Sequence, residues 1–148
     1  MDQIYPEPTV VGLIFNPEGK LLLVRSHKWR NQYVVPGGHI ELGETMLEAL
    51  KREIKEETGL EIFDIEYIGY QEFIFDEAFW KNRHFIFFDF ACKTDSKDVK
   101  LDSESEEYEW VSLDDVFNLP IEPFTQRTIR EYMEKSSRNS NSTVIMSD

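Results

Sequence analysis

An α/β sandwich around a mixed sheet is the fold class that the 148-residue sequence predicts, and three observations carry it. Short apolar, β-branched runs alternate with two segments of helical period. The two longest helical segments are separated by three of the six strands. Hydrophobic residues make up 41% and aromatics 14% of the chain, enough apolar material for one core.

Taken in order, "TVVGLIF" (9–15) and "KLLLVR" (20–25) are strands joined by "NPEG", a turn-forming tetrapeptide, and so read as a hairpin. "QYVVPGG" (32–38) is a short strand ended by its Pro-Gly-Gly breaker. From Thr45 to Thr58 the period becomes helical, with Met46, Leu47, Leu50 and Ile54 on one side and Gly59 placed to end the helix. Residues 62–75 and "HFIFFDFAC" (84–92) are two more strands. The second is apolar on both faces, as in the middle of a covered sheet, with Asp89 as its exception. "YEWVSL" is a last strand, "LDDVFN" a short helix, and about Phe124 to Lys135 an amphipathic helix. Residues 1–135 therefore read as one domain, and the polar remainder, 136–148, as a flexible C-terminal tail.

Charge and cysteine content narrow the function classes. Sixteen basic against twenty-nine acidic residues give a formal charge of −13, which opposes binding to nucleic acid or an anionic membrane surface. No apolar run approaches the roughly 20 residues that span a bilayer. A single cysteine, Cys92, and an N-terminus without a signal-peptide pattern make the cytoplasm the expected location. With no assigned base, Cys92 reads as a core residue. His27, His39 and His84 are too scattered for a zinc site.

"REIKEE" (52–57) is the informative stretch. On a helix, Glu53, Glu56 and Glu57 fall within about 100° of one another, beside the apolar stripe of Leu47, Leu50 and Ile54. Each like-charged pair at these spacings costs about 0.2–0.5 kcal/mol. Hard oxygen ligands on a rigid element suit Mg²⁺ or Mn²⁺, and such ions bridge phosphate oxygens. The bland alternative is a solvated face knitted by Lys51, Arg52 and Lys55.

Extended outward, the stretch becomes "GHIELGETMLEALKREIKEETGL" (38–60). Its Gly38, Glu44, Arg52, Glu53, Glu56, Glu57 and Gly59, with Ile54 and Leu60 at the aliphatic positions, resemble the complete signature of the Nudix hydrolases. Chance agreement at a given start is on the order of 10⁻⁹, so the match is specific. About 125 residues fit the family pattern in kind and order.

The resemblance implies a Nudix-type α/β/α sandwich and water attack on a nucleoside diphosphate linked to another group, assisted by Mg²⁺ or Mn²⁺. It implies Glu56 and Glu57 as metal ligands and Glu53 as a ligand or the base that activates water. It implies that the backbone carbonyl of Gly37 or Gly38 completes the metal's coordination. Glu44 and Arg52 join the catalytic group, with Arg52 orienting a glutamate. A further acidic ligand is expected downstream among Glu104, Glu106 and Glu107, with Glu104 favoured. Candidate substrate contacts are Arg25, Trp29, Tyr33 and Asp89, with Phe79 and Trp80 as further stacking candidates. Asp89 has internal pairing as its alternative.

Subfamily markers for ADP-ribose and diadenosine-polyphosphate hydrolases are absent, Asp76 and Glu77 standing there instead. The expected partner is a small nucleotide substrate, and homodimers are common in the family. Three functions stay open: hydrolysis of a nucleotide sugar, an ADP-ribose-like compound or another nucleoside diphosphate derivative; pyrophosphohydrolysis of nucleoside triphosphates in nucleotide house-cleaning; and a non-catalytic binding or regulatory module. Isopentenyl-diphosphate isomerase shares the fold but needs a catalytic cysteine that Cys92 is not obviously placed to supply.

Overall fold

Residues 5–74 and 83–138 are described by a computed structural model. β1 (Glu7–Phe15) and β2 (Leu21–Arg25) form the expected hairpin, with Phe15 opposite Leu21. The Asn16 side chain builds its turn by accepting from the Glu18 and Lys20 N–H groups at 2.9 and 3.0 Å. Gly19 closes the turn at φ 77°, a left-handed conformation open to a residue without Cβ.

The stretch read as a single strand at 32–38 is two. β3 (Tyr33–Val34) pairs with β2, whereas β4 (Gly37–His39) pairs with β1. Pro36 lies at the break because it has no N–H for a ladder, and its carbonyl accepts from Gly12 N–H at 3.0 Å. Beyond it come β5 (Phe63–Ile74), β6 (His84–Lys93) and β7 (Glu107–Val111). β6 lies between β1, to which it is parallel, and β5, to which it is antiparallel, while β7 flanks β2. The sheet is therefore mixed. Asp76, Glu77, Phe79 and Trp80 lie outside the described residues, as do 139–148.

Two helices cover opposite faces. α1 (Met46–Thr58) starts in a reciprocal cap, Thr45 Oγ1 accepting from Glu48 N–H and Glu48 Oε1 from Thr45 N–H. It ends at Gly59, whose φ is 75°. Its Leu50 and Ile54 settle over Gly12 of β1, where an added Cβ would lie 3.0 Å from Ile54 Cδ1. Phe90 and Cys92, opposite Gly12 and Ile14, share that face, and Cys92 is buried with Sγ 3.7 Å from Leu13 O.

α2 (Pro123–Arg138) covers the other face, where Phe124 stacks on Phe87 at 4.9 Å and Tyr132 meets Phe15 at 5.1 Å. Alternation along β1 and β6 explains why successive residues serve different helices. α2 runs three residues past the expected end at Lys135, and Arg138 NH2 lies 3.5 Å from Glu134 in this last turn. The result is an α/β/α sandwich. Leu13, Ile14, Leu21, Leu22, Leu23, Leu50, Ile54 and Phe90 are fully buried in it, each contributing about 1.5–3 kcal/mol by leaving water. No helix among the described residues is long and apolar enough to cross a membrane.

Candidate active site

The apolar stripe of α1 fixes where its acidic stripe points. Glu53 and Glu57, one turn apart, line a cleft of about 400 Å³ together with Gly37, Gly38 and Glu104. Gly37 N–H donates to Glu57 Oε2 at 2.9 Å, tying the helix to β4. Gly38 lies so close to Glu53 that a Cβ there would overlap the carboxylate. A Cβ on Gly37 would overlap the β1 backbone at Val10 and Val11.

Arg52 organises the flank of this group. Its Nε and NH2 donate to the two oxygens of Glu44 at 2.6 and 3.0 Å, and its NH1 donates to Glu53 Oε1 at 2.9 Å. NH2 also reaches His39 O at 3.0 Å, and NH1 reaches Glu56 Oε2 at 3.3 Å. Paired forks of this kind are directional and strong. The guanidinium holds the Glu44 carboxyl below its usual range. Arg52 thus orients Glu44 and Glu53 rather than lining the cleft itself.

Electrostatics single out Glu57. Burial, reinforced by the Glu53 charge beside it, pushes its carboxyl from 4.5 up to about 9. Asp102 and Glu104 add to the same negative field. Burial also raises Glu53, against the pull of Arg52. Glu56 is different, being exposed, turned to Arg52 and absent from the cleft lining. Among the described residues no three side chains form a ready-made metal cluster.

The donor set nonetheless fits a hard divalent cation. Two carboxylates converge in a half-buried place beside a glycine whose missing Cβ leaves room for them, and their mutual repulsion calls for positive charge. Glu104, the favoured downstream acid, shares the cleft. Glu106 and Glu107 are engaged elsewhere, Glu106 with His27 at 2.7 Å and Glu107 with Arg25 at 2.9 Å.

The expected substrate contacts divide. Trp29 lines the cleft, its ring edge-on to Phe124 at 5.2 Å. Arg25 and Tyr33 do not line it: both turn to Glu107 of β7, Tyr33 donating its hydroxyl at 2.8 Å from a buried position. Asp89 does not line it either. It is fully buried beneath α2, where Oδ2 accepts from Gln71 Nε2 at 2.9 Å, and burial pushes its carboxyl up to about 7. Internal pairing is the outcome for Asp89, because α2 closes over that part of the sheet.

Sequence reasoning missed several cleft residues: Glu7, Thr9, Lys28, Arg83 and Phe85. Glu7, Thr9 and Val11 fall at every second residue, a period-two signal that begins two residues before the run read as the first strand. His39, set aside with His27 and His84 as too scattered for a zinc site, also lines the cleft and is 2.9 Å from Glu7 Oε1.

Comparison with known proteins identifies the family and the fold. A NUDIX domain family model matches residues 5–132. Nucleoside triphosphatase NudI of Escherichia coli O81 (strain ED1a) is 29% identical over 132 residues, covering 82% of this chain and 94% of that protein. A NUDIX hydrolase from Nitrosomonas europaea superposes with a TM-score of 0.73 at 25% identity, covering 88% and 90% of the two chains. The MutT protein from Methanosarcina mazei Go1 does so with 0.72 at 27%, covering 93% and 99%. With the family model spanning most of its length and the acidic helix facing a cleft, the chain belongs to the Nudix hydrolase family.

Proposed function

We propose that this Nudix hydrolase is a pyrophosphohydrolase of nucleoside triphosphates that works with Mg²⁺ or Mn²⁺. Divalent-metal use is general in the family. The observation that carries the reading is the pairing of Glu53 and Glu57 at one end of a cleft whose floor is aromatic. The relative named as a nucleoside triphosphatase favours triphosphates over nucleoside diphosphates linked to other groups.

Glu53, Glu57 and the Gly38 carbonyl would hold the cation, with Glu104 as the downstream ligand, and Glu56 would join them by turning away from Arg52. When bound, the ion neutralises phosphate charge and polarises the phosphorus under attack. Gly37 N–H keeps Glu57 aimed into the cleft. Arg52 engages Oε1 of Glu53, which would leave Oε2 either for the cation or for the proton of the attacking water. Glu44 fixes Arg52 and so acts through it.

The test is a panel of nucleoside triphosphates, nucleotide sugars and ADP-ribose with Mg²⁺ or Mn²⁺, products identified by mass, in ¹⁸O-water to locate the attacked phosphorus. Pyrophosphate release from a triphosphate, abolished by chelation, is expected. Turnover that survives thorough chelation, or a panel in which only diphosphate-linked compounds react, overturns the proposal.

A further inference from the structure

The end of the cleft away from the carboxylates has a built polar group that the proposed hydrolysis leaves unused. β1 and β6 run parallel with Glu7 opposite Phe85 and Thr9 opposite Phe87, so alternate residues of both strands form the cleft floor. At its far end Arg83 NH1 donates to Glu7 Oε2 at 3.2 Å, and His39 Nε2 is 2.9 Å from Glu7 Oε1. Arg83 and Glu7 are largely covered, with side-chain exposures of 25% and 22%. Each Glu7 oxygen is thereby engaged. The other guanidinium N–H groups of Arg83 have no partner among the described residues, and they are donors only.

β1 supplies a ruler. Val10 stands opposite Gly38, the glycine against which the Glu53 carboxylate sits. Glu7 is three residues back, about 10 Å at the rise of a strand. That is comparable to the reach of a nucleotide from its innermost phosphate to the far edge of its base. Between the two ends the half-buried Phe85 ring lines the cleft, backed at 5.4 Å by Phe87, which is itself buried against Phe124, and this gives a base an apolar surface.

We propose that Arg83, held in place by Glu7, reads the substrate base by donating to a ring carbonyl oxygen. The cleft then takes guanine, cytosine, uracil or thymine nucleotides in preference to adenine ones. Adenine is the common base with no carbonyl oxygen, and its exocyclic amino group meets the guanidinium donor to donor. This deepens the nucleotide reading above and rests on it.

The test compares kcat/KM for GTP, CTP, UTP and ATP in the wild type and in Arg83→Met, which keeps length and removes every donor. The wild type should favour at least one carbonyl-bearing nucleotide over ATP by about tenfold or more, and Arg83→Met should narrow that ratio to within about threefold. Equal use of ATP by the wild type overturns the proposal. So does a loss in Arg83→Met that is the same for every base, which marks a phosphate contact or a folding defect. If the wild type hydrolyses no nucleotide, the functional reading fails separately. The base preference is then decided by melting temperature with GMP, CMP, UMP or AMP: a larger rise with a carbonyl-bearing monophosphate supports it, and an equal or absent rise overturns it.

Discussion

Replacing Glu57 by Gln keeps the side chain's size and an oxygen for the Gly37 N–H, and removes one charge from a place that burial and Glu53 already make unfavourable for it. The folded carboxyl titrates at about 9 against an ordinary 4.5. The folded state therefore binds the proton more tightly than the unfolded chain. Its contribution is fully present below pH 4.5 and is lost as pH rises through 9. Each pH step in that window costs about 1.4 kcal/mol, so at pH 7 the metal-free wild type has lost on the order of 3 kcal/mol. Glu57→Gln should remove this slope. In chelator its melting temperature should exceed that of the wild type at pH 7.5, with the gap shrinking toward pH 5. Mg²⁺ should narrow or reverse the ranking, because the wild type gains more from the ion.

Turnover should move the other way, falling by about 10²-fold or more. Glu48→Gln is the control on the same helix: glutamine still accepts the Thr45 N–H in the cap, so stability should stay within about 0.5 kcal/mol and turnover near wild type. Melting temperature across pH and kcat, each with and without Mg²⁺, decide the matter. Full activity in Glu57→Gln, or a pH slope identical to the wild type's, refutes the reasoning.

Gly38→Ala should cut turnover by at least about tenfold, because the added methyl displaces the Glu53 carboxylate, with a smaller loss of melting temperature than Gly37→Ala, whose methyl meets backbone. Kinetics and thermal melts of the two variants compare these. Asp89→Asn should leave kcat unchanged and flatten the pH dependence of stability. The folded Asp89 carboxyl, raised from 3.8 to about 7, makes the wild type lose stability as pH rises through that window, and an amide cannot titrate. Denaturant midpoints at pH 4, 6 and 8 measure it.

Much of this arrangement was legible because it is local. Thr45 and Gly59 bound α1 through the caps their residue types favour, and the Leu50 and Ile54 stripe fixes which way Glu53 and Glu57 face. The divided strand at 32–38 was not legible, since only the pairing of Gly37–His39 with β1 separates it from Tyr33–Val34. Arg25 and Tyr33 were read as substrate contacts because a free cation and an aromatic ring look alike wherever they stand. Their partner, Glu107, is 74 residues from Tyr33 in the chain. Asp89 marked itself as special in an apolar strand, yet its fate depends on Gln71 and on α2 closing over it. Glu7 and Arg83 carry no motif, and meet only because β1 and β6 are neighbours.

That neighbouring pair of strands also governs when the protein can first work. Glu7 pairs with Phe85 and Phe15 with Lys93, so every rung of the β1–β6 ladder joins residues 78 positions apart (85 − 7). Closing so long a loop costs entropy before any contact compensates it, and non-local parallel pairing is slow to form. The hairpin, the α1 caps and the antiparallel β5–β6 pair can each organise from nearer sequence. The cleft floor, made from β1 and β6 together, cannot exist until they dock. A chain still being synthesised therefore completes the sequence of its acidic helix before it has anywhere to seat a base, and nucleotide can assist folding only from the docking of β1 on β6 onward.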